Sequence, residues 1–189
     1  MALVTHPALL IAVRLLLAMM FLSAAVGKMR HWSVFEGVVA NYRLLPAPIS
    51  RLVAYALPPA EALLALALIA SLAQPWTGWT AAGLLIVFGC AIAINLLRGR
   101  SHIDCGCFQG TLKQALRWPL VARNALLAAL ALLTALPPSA EPQGWDVLNG
   151  VMAGAALFLI LQTLNALWAI QPAWRKRAPA VAAPATGAG

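Results

Sequence analysis

Five runs of mostly apolar residues fill nearly all of this 189-residue chain, and each is close to the roughly 20 residues that carry an α-helix across about 30 Å of hydrocarbon. In a bilayer every backbone N–H and C=O must find its partner within the protein, so the runs are helices rather than single strands. Charged residues make up 10% of the chain, where a soluble domain would carry about a quarter. The sequence therefore predicts an all-α polytopic membrane helix bundle of about five transmembrane helices, at about 7–26, 52–73, 79–97, 118–136 and 147–170. The bundle takes up residues 1–172. Residues 173–189 are expected as a disordered cytoplasmic tail, basic at Arg175, Lys176 and Arg177 and then rich in Ala and Pro.

The first run resembles a signal peptide only in its small residues near 23–25. No Lys or Arg precedes it, Arg14 lies inside it, and Lys28 and Arg30 follow it, which is the charge order of a retained helix. Within 28–51, Trp32, Phe35, Val38, Val39 and Tyr42 recur at helical spacing, predicting a short helix along the interface until Leu45-Pro46-Ala47-Pro48 breaks it. Pro58 and Pro59 predict a kink in the second span, which neighbouring helices can accommodate. The seven Trp residues fall near the ends of the runs, where indole prefers the interface.

A net charge of +8 and a pI near 10.5 do not indicate nucleic acid here, since there is no basic arm, aromatic interleaving or nucleic-acid module. Eleven of the 13 Lys and Arg residues lie in the first connection, the third connection and the tail, all on one side; the opposite loops hold Glu141 and Asp146 instead. The positive-inside rule then sets the N-terminus outside and the C-terminus in the cytoplasm, in a multi-pass protein of a bacterial inner membrane.

One polar island, residues 98–110, interrupts the apolar text and holds two of the three cysteines as Cys105-Gly106-Cys107. A disulfide between i and i+2 is strained, because it wants Cα atoms about 4.4–6.8 Å apart, and Gly106 eases the fit. Such a bond suits exchange more than stapling, which makes Cys105 and Cys107 the candidate redox pair. Two other readings stand beside it: inert thiols in a turn, or a soft-metal site with His102 and Asp104. The cluster is too compact for usual zinc spacing, so no metal is expected. Charge counting puts the pair at the cytoplasmic face, whereas disulfides persist on the other side. Either electrons cross the membrane or the loop is reached from outside.

Cys90 lies about 10 Å inside the membrane from the end of the third helix, as a relay thiol or a small packing residue. Arg14, Glu61, Arg123 and Asn124 are the intramembrane polar residues. A charge inside a span costs several kcal/mol unless paired. Arg14 at about 10 Å and Glu61 at about 16 Å below the outer face are expected to form an ion pair between the first two spans, the alternative being a part for Glu61 in proton movement or quinone binding. Arg123, near the start of its helix, is expected to snorkel outward.

These residues carry a resemblance. Gly27-Lys28-Met29 with Phe35, then Asn41-Tyr42-Arg43-Leu44-Leu45-Pro46, Leu57-Pro58-Pro59-Ala60-Glu61, Asp104-Cys105-Gly106-Cys107-Phe108 and Ala122-Arg123-Asn124 are together similar to the methylamine-utilisation protein MauE family, related to the DoxX-like membrane proteins. Gln109 intervenes before Gly110, where the family pattern usually continues Cys-Phe-Gly. The resemblance implies an inner-membrane protein acting in processing, transport or maturation of the methylamine dehydrogenase β subunit, a disulfide-rich partner, alongside a thioredoxin-like MauD-type protein. It implies thiol-disulfide chemistry at Cys105 and Cys107, with no cofactor expected, and marks Lys28, Tyr42, Glu61, Arg123 and Asn124 as matched positions without assigned roles. A non-redox assembly or transport component and a quinone-linked thiol oxidoreductase are the rival expectations.

Overall fold

A computed structural model describes residues 5–101, 103 and 115–177, with side chains as far as 167. Six helices follow one another among these residues: α1 Pro7–Arg30, α2 Trp32–Tyr42, α3 Ala47–Ile69, α4 Trp76–Leu97, α5 Trp118–Leu133 and α6 Gly144–Arg177. Four of them, α1, α3, α4 and α6, are long and apolar enough to cross a bilayer. The fifth, α5, is apolar but has 16 residues. The chain is thus a polytopic membrane helix bundle, and α2 is the short helix that the spacing from Trp32 to Tyr42 predicts.

Local chemistry sets the boundaries. His6 caps α1 through its side chain, which accepts from the Ala8 N–H, and Pro7 occupies the first turn, where its missing N–H costs nothing. At His31 the chain leaves the helical region, which separates α1 from α2. Arg43 takes a left-handed conformation at the end of α2, so the break is confined to 43–46. The second span consequently begins at Ala47 rather than 52, with Pro48 absorbed into its first turn. It ends at Ile69 rather than 73, because Ser71 and Ala73 adopt positive φ and turn the chain. The helix continues through Pro58 and Pro59. The last helix runs on to Arg177, into the segment expected as tail.

The core forms where α1 meets the other helices. Leu16, Leu17 and Phe21 of α1 pack with Leu64 and Leu68 of α3, Leu85 of α4 and Leu127 of α5. Lipid tails are as apolar as leucine, so membrane helices associate through close packing, which small residues allow. A Cβ on Gly150 would come within 2.7 Å of Ile11, and one on Gly154 within 2.7 Å of the Ala12 carbonyl, so α6 lies backbone to backbone on α1. Gly78 does the same for α4 against the end of α5. Ser139 adds a tie by donating its N–H to the Thr5 carbonyl at 2.9 Å.

Gly154→Val should push α6 off α1 and lower stability by about 1–3 kcal/mol. Gly83→Ala, where an added Cβ meets nothing within 4 Å, should leave stability unchanged or slightly raised. Thermal unfolding in detergent compares the two. A Gly154→Val protein melting with the parent would contradict this helix contact.

Candidate intramembrane site

On α3 the buried positions Ala54, Pro58, Glu61, Ala65 and Leu68 recur every three or four residues, the spacing of one helix face. Glu61 therefore stands in the stripe that faces the core, and it is fully buried. On α1 the buried positions Leu17, Phe21, Ala25 and Lys28 make the matching stripe. Lys28 reaches across so that both Glu61 carboxylate oxygens accept from its Nζ, at 2.5 and 2.7 Å. Both side chains are almost wholly out of solvent, 7% and 1% exposed. A charge there is tolerable only because the other compensates it. The rings of Phe35 and Phe88 add to the shell, with centroids 5.2 and 5.1 Å from the Lys28 nitrogen. At that range an ammonium is attracted by the ring quadrupole.

This pair corrects the expectation that Glu61 binds Arg14. Arg14 stands 14 residues before Lys28 on α1, about 21 Å along the axis, so one carboxylate cannot serve both. Because α3 ends at Ile69, Arg14 lies level with the ends of α3 and α5. It donates to the Ser71 hydroxyl and the Thr134 carbonyl, both at 3.3 Å. A cation at the last carbonyls of α5 is well placed for that helix's dipole and orphan acceptors. Lys28 was legible as a core residue from its three-to-four spacing with Phe21 and Ala25. Its place beside Arg30 made it read as a loop charge instead.

Arg123 is the second correction. It does not snorkel outward but turns into the bundle, where it donates to Asn165 Oδ1 at 3.0 Å. Asn124, the next residue on α5, is buried and returns its side-chain N–H to the Leu120 carbonyl at 2.8 Å. With Ser23, Gln162, Lys28 and Glu61 these residues line a cavity of about 230 Å³. Within the described residues Arg123 has no carboxylate partner, so this cavity carries one positive charge beyond the neutral Lys28–Glu61 pair.

A second cavity of about 410 Å³ lies between α2, α3 and α4, and it shares Lys28 and Phe88 with the first. Its walls are otherwise nearly all apolar, and Cys90 is part of them. Cys90 is an exposed free thiol. Cys105 and Cys107 lie outside the described residues, as do His102 and Asp104. The flanks of their segment are described: Leu116 donates its N–H to the Ile103 carbonyl at 3.2 Å. Leu116 also packs with Ile92 and Leu120, against Tyr42 and Ile103. The two flanks of the cysteine segment thus meet at one point, where α4 ends and α5 begins.

Fold and site together define a polytopic membrane protein built around a buried ion pair and an intramembrane polar cavity. The family model described as methylamine utilisation protein MauE matches residues 6–137. Among relatives, the methylamine utilization protein MauE of Paracoccus denitrificans is 45% identical over 171 residues, 89% of this chain and 91% of that protein. The protein of the same name from Paracoccus versutus is 46% identical over 151 residues, 79% and 81% of the two chains. That of Methylorubrum extorquens is 40% identical over 175 residues, 90% and 93%. No solved structure matches the chain. The chain belongs to the MauE family.

Asn165→Leu should leave the Arg123 guanidinium without its acceptor and destabilise the bundle by about 1–3 kcal/mol. Adding Arg123→Met should recover most of that loss, since no donor is then left unpaired. Melting curves of the single and double variants in detergent test the pairing. A double variant no more stable than Asn165→Leu alone would contradict it.

Proposed function

We propose that this MauE-family chain matures an exported, disulfide-rich protein by thiol-disulfide exchange at Cys105 and Cys107, in the bacterial inner membrane. The names of its relatives point to methylamine utilisation, and the resemblance points to the methylamine dehydrogenase β subunit as substrate and a thioredoxin-like MauD-type protein as co-worker. The observation that carries the reading is the Cys105-Gly106-Cys107 motif in a segment whose flanks are pinned together by the Leu116–Ile103 hydrogen bond. Two thiols on so short a segment are neighbours whatever the substrate does.

In the forming direction, a substrate thiolate attacks the Cys105–Cys107 disulfide and displaces one sulfur as thiolate, giving a mixed disulfide. A second substrate thiolate then attacks the substrate's own sulfur. The substrate leaves with a disulfide, and the pair is left as a dithiol that has gained two electrons. In isomerisation the reduced pair starts the cycle, and one thiolate attacks a wrong disulfide. A different substrate thiolate then attacks the substrate's sulfur in the mixed disulfide, which forms the new bond and returns the pair as a dithiol. Resolution by the second cysteine instead reduces the wrong disulfide and leaves the pair oxidised for the forming direction. Arg98, Arg100 and Lys113 flank the cysteines in sequence, and their charge favours thiolate over thiol.

Replacing Cys105 and Cys107 together by Ser should abolish maturation of the β subunit while leaving the chain at its usual level in the membrane. Disulfide content and activity of the dehydrogenase, against an immunoblot of the membrane fraction, give the two readouts. Normal maturation by the double variant would refute the exchange mechanism and favour a non-redox assembly role resting on Arg14, Glu61 and Arg123.

A further inference from the structure

Exchange chemistry that forms disulfides accumulates two electrons on the dithiol for each bond delivered, and they need an acceptor. The groove between α2, α3 and α4 has a shape and chemistry suited to one. Its walls are aliphatic and aromatic along a volume of about 410 Å³, which suits a hydrocarbon chain. Its polar lining residues are Tyr42 and Lys28, and the Lys28 nitrogen lies 5.2 and 5.1 Å from the ring centroids of Phe35 and Phe88. An ammonium has three N–H donors, and two go to Glu61, which leaves one for a ligand. Because Glu61 already neutralises the charge, Lys28 favours a neutral acceptor such as a ring carbonyl over a phosphate-bearing lipid head. The groove also reaches the base of the cysteine segment: Tyr42 and Ile92 line it, and the cluster of Ile92, Leu116 and Leu120 at that base has both Tyr42 and Ile103 packed against it.

We propose that this groove binds a lipid quinone, with a ring carbonyl accepting from Lys28 near Phe35 and Phe88 and the isoprenoid tail along the apolar wall. Where the proposed exchange chemistry holds, on which this further step rests, the quinone reoxidises the pair. Cys105 and Cys107 lose two electrons and two protons as their S–S bond forms. The quinone gains both as two O–H bonds form, and it leaves as quinol.

Cys90 in the groove wall reports occupancy without needing any redox turnover. In a Cys105→Ser/Cys107→Ser chain it is the sole remaining thiol. Decylubiquinone, whose fully substituted ring does not add to thiols, should slow alkylation of Cys90 by N-ethylmaleimide at least tenfold, saturably, in the purified protein. Val87, 62% exposed and in the groove wall, offers a substitution that fills the groove without touching the core, and Val87→Trp should remove the protection. Lys28→Met with Glu61→Gln should weaken it about tenfold, the value of one hydrogen bond. No slowing by the quinone, or equal slowing by phosphatidylglycerol, would overturn the proposal and leave a plain lipid groove. The reporter chain lacks Cys105 and Cys107, so this result stands apart from the maturation test: either can fail while the other holds.

Discussion

The Lys28–Glu61 ion pair is the interaction on which the arrangement of the bundle depends. It joins the last turn of α1 to the middle of α3, and with that contact the relative height of the two helices is set. Arg14 is thereby brought level with the ends of α3 and α5, where carbonyls rather than a carboxylate receive it. A buried pair adds little net stability compared with well-packed apolar residues, yet losing one partner is costly because a bare charge remains. Such a pair punishes misalignment. Sliding α3 by one turn, about 5.4 Å, would separate the charges in a medium that cannot solvate them.

The same pair separates two environments. On one side lies the polar cavity with Arg123, Asn124 and Asn165; on the other lies the apolar groove with Phe35 and Cys90. Lys28 and Phe88 belong to both. The groove meets the base of the cysteine segment through Tyr42 and Ile92. A carrier of electrons in the groove would therefore lie beside the base of the segment whose sequence holds the thiol pair. That proximity follows from how α4 and α5 end, not from any sequence nearness of Lys28 to Cys105.

Much of this was legible in the sequence, and the failures have identifiable causes. The apolar runs and the Trp32–Tyr42 spacing were enough to predict the six helices of the described residues, because hydrophobic length and period are strong signals in a membrane chain. The ends of α3 were misplaced by about four residues. Pro48 reads as a breaker although it is tolerated in a first turn, and the positive φ of Ser71 and Ala73 leaves no mark in residues that are not glycine. The wrong cation for Glu61 has another cause: depths counted from a common outer level bring it near Arg14, whereas α1 extends past the end of α3, so that Arg14, about 10 Å into its helix, stands level with Ser71. Arg123 was misread for a related reason: snorkelling assumes lipid around a side chain, while Asn165 of α6, 42 residues away, offers an acceptor inside the bundle.

The central claim is that Lys28 and Glu61 pair inside the membrane and hold α1 against α3. Exchanging them tests it most directly, with Lys28→Glu, Glu61→Lys and the double exchange followed by accumulation in the membrane and melting in detergent. Each single change buries two like charges and should drop accumulation steeply, with a loss of about 3–5 kcal/mol or more in whatever folds. The exchanged pair should recover most of it. Single variants that accumulate and melt like the parent, or a double variant no better than the singles, would contradict the claim.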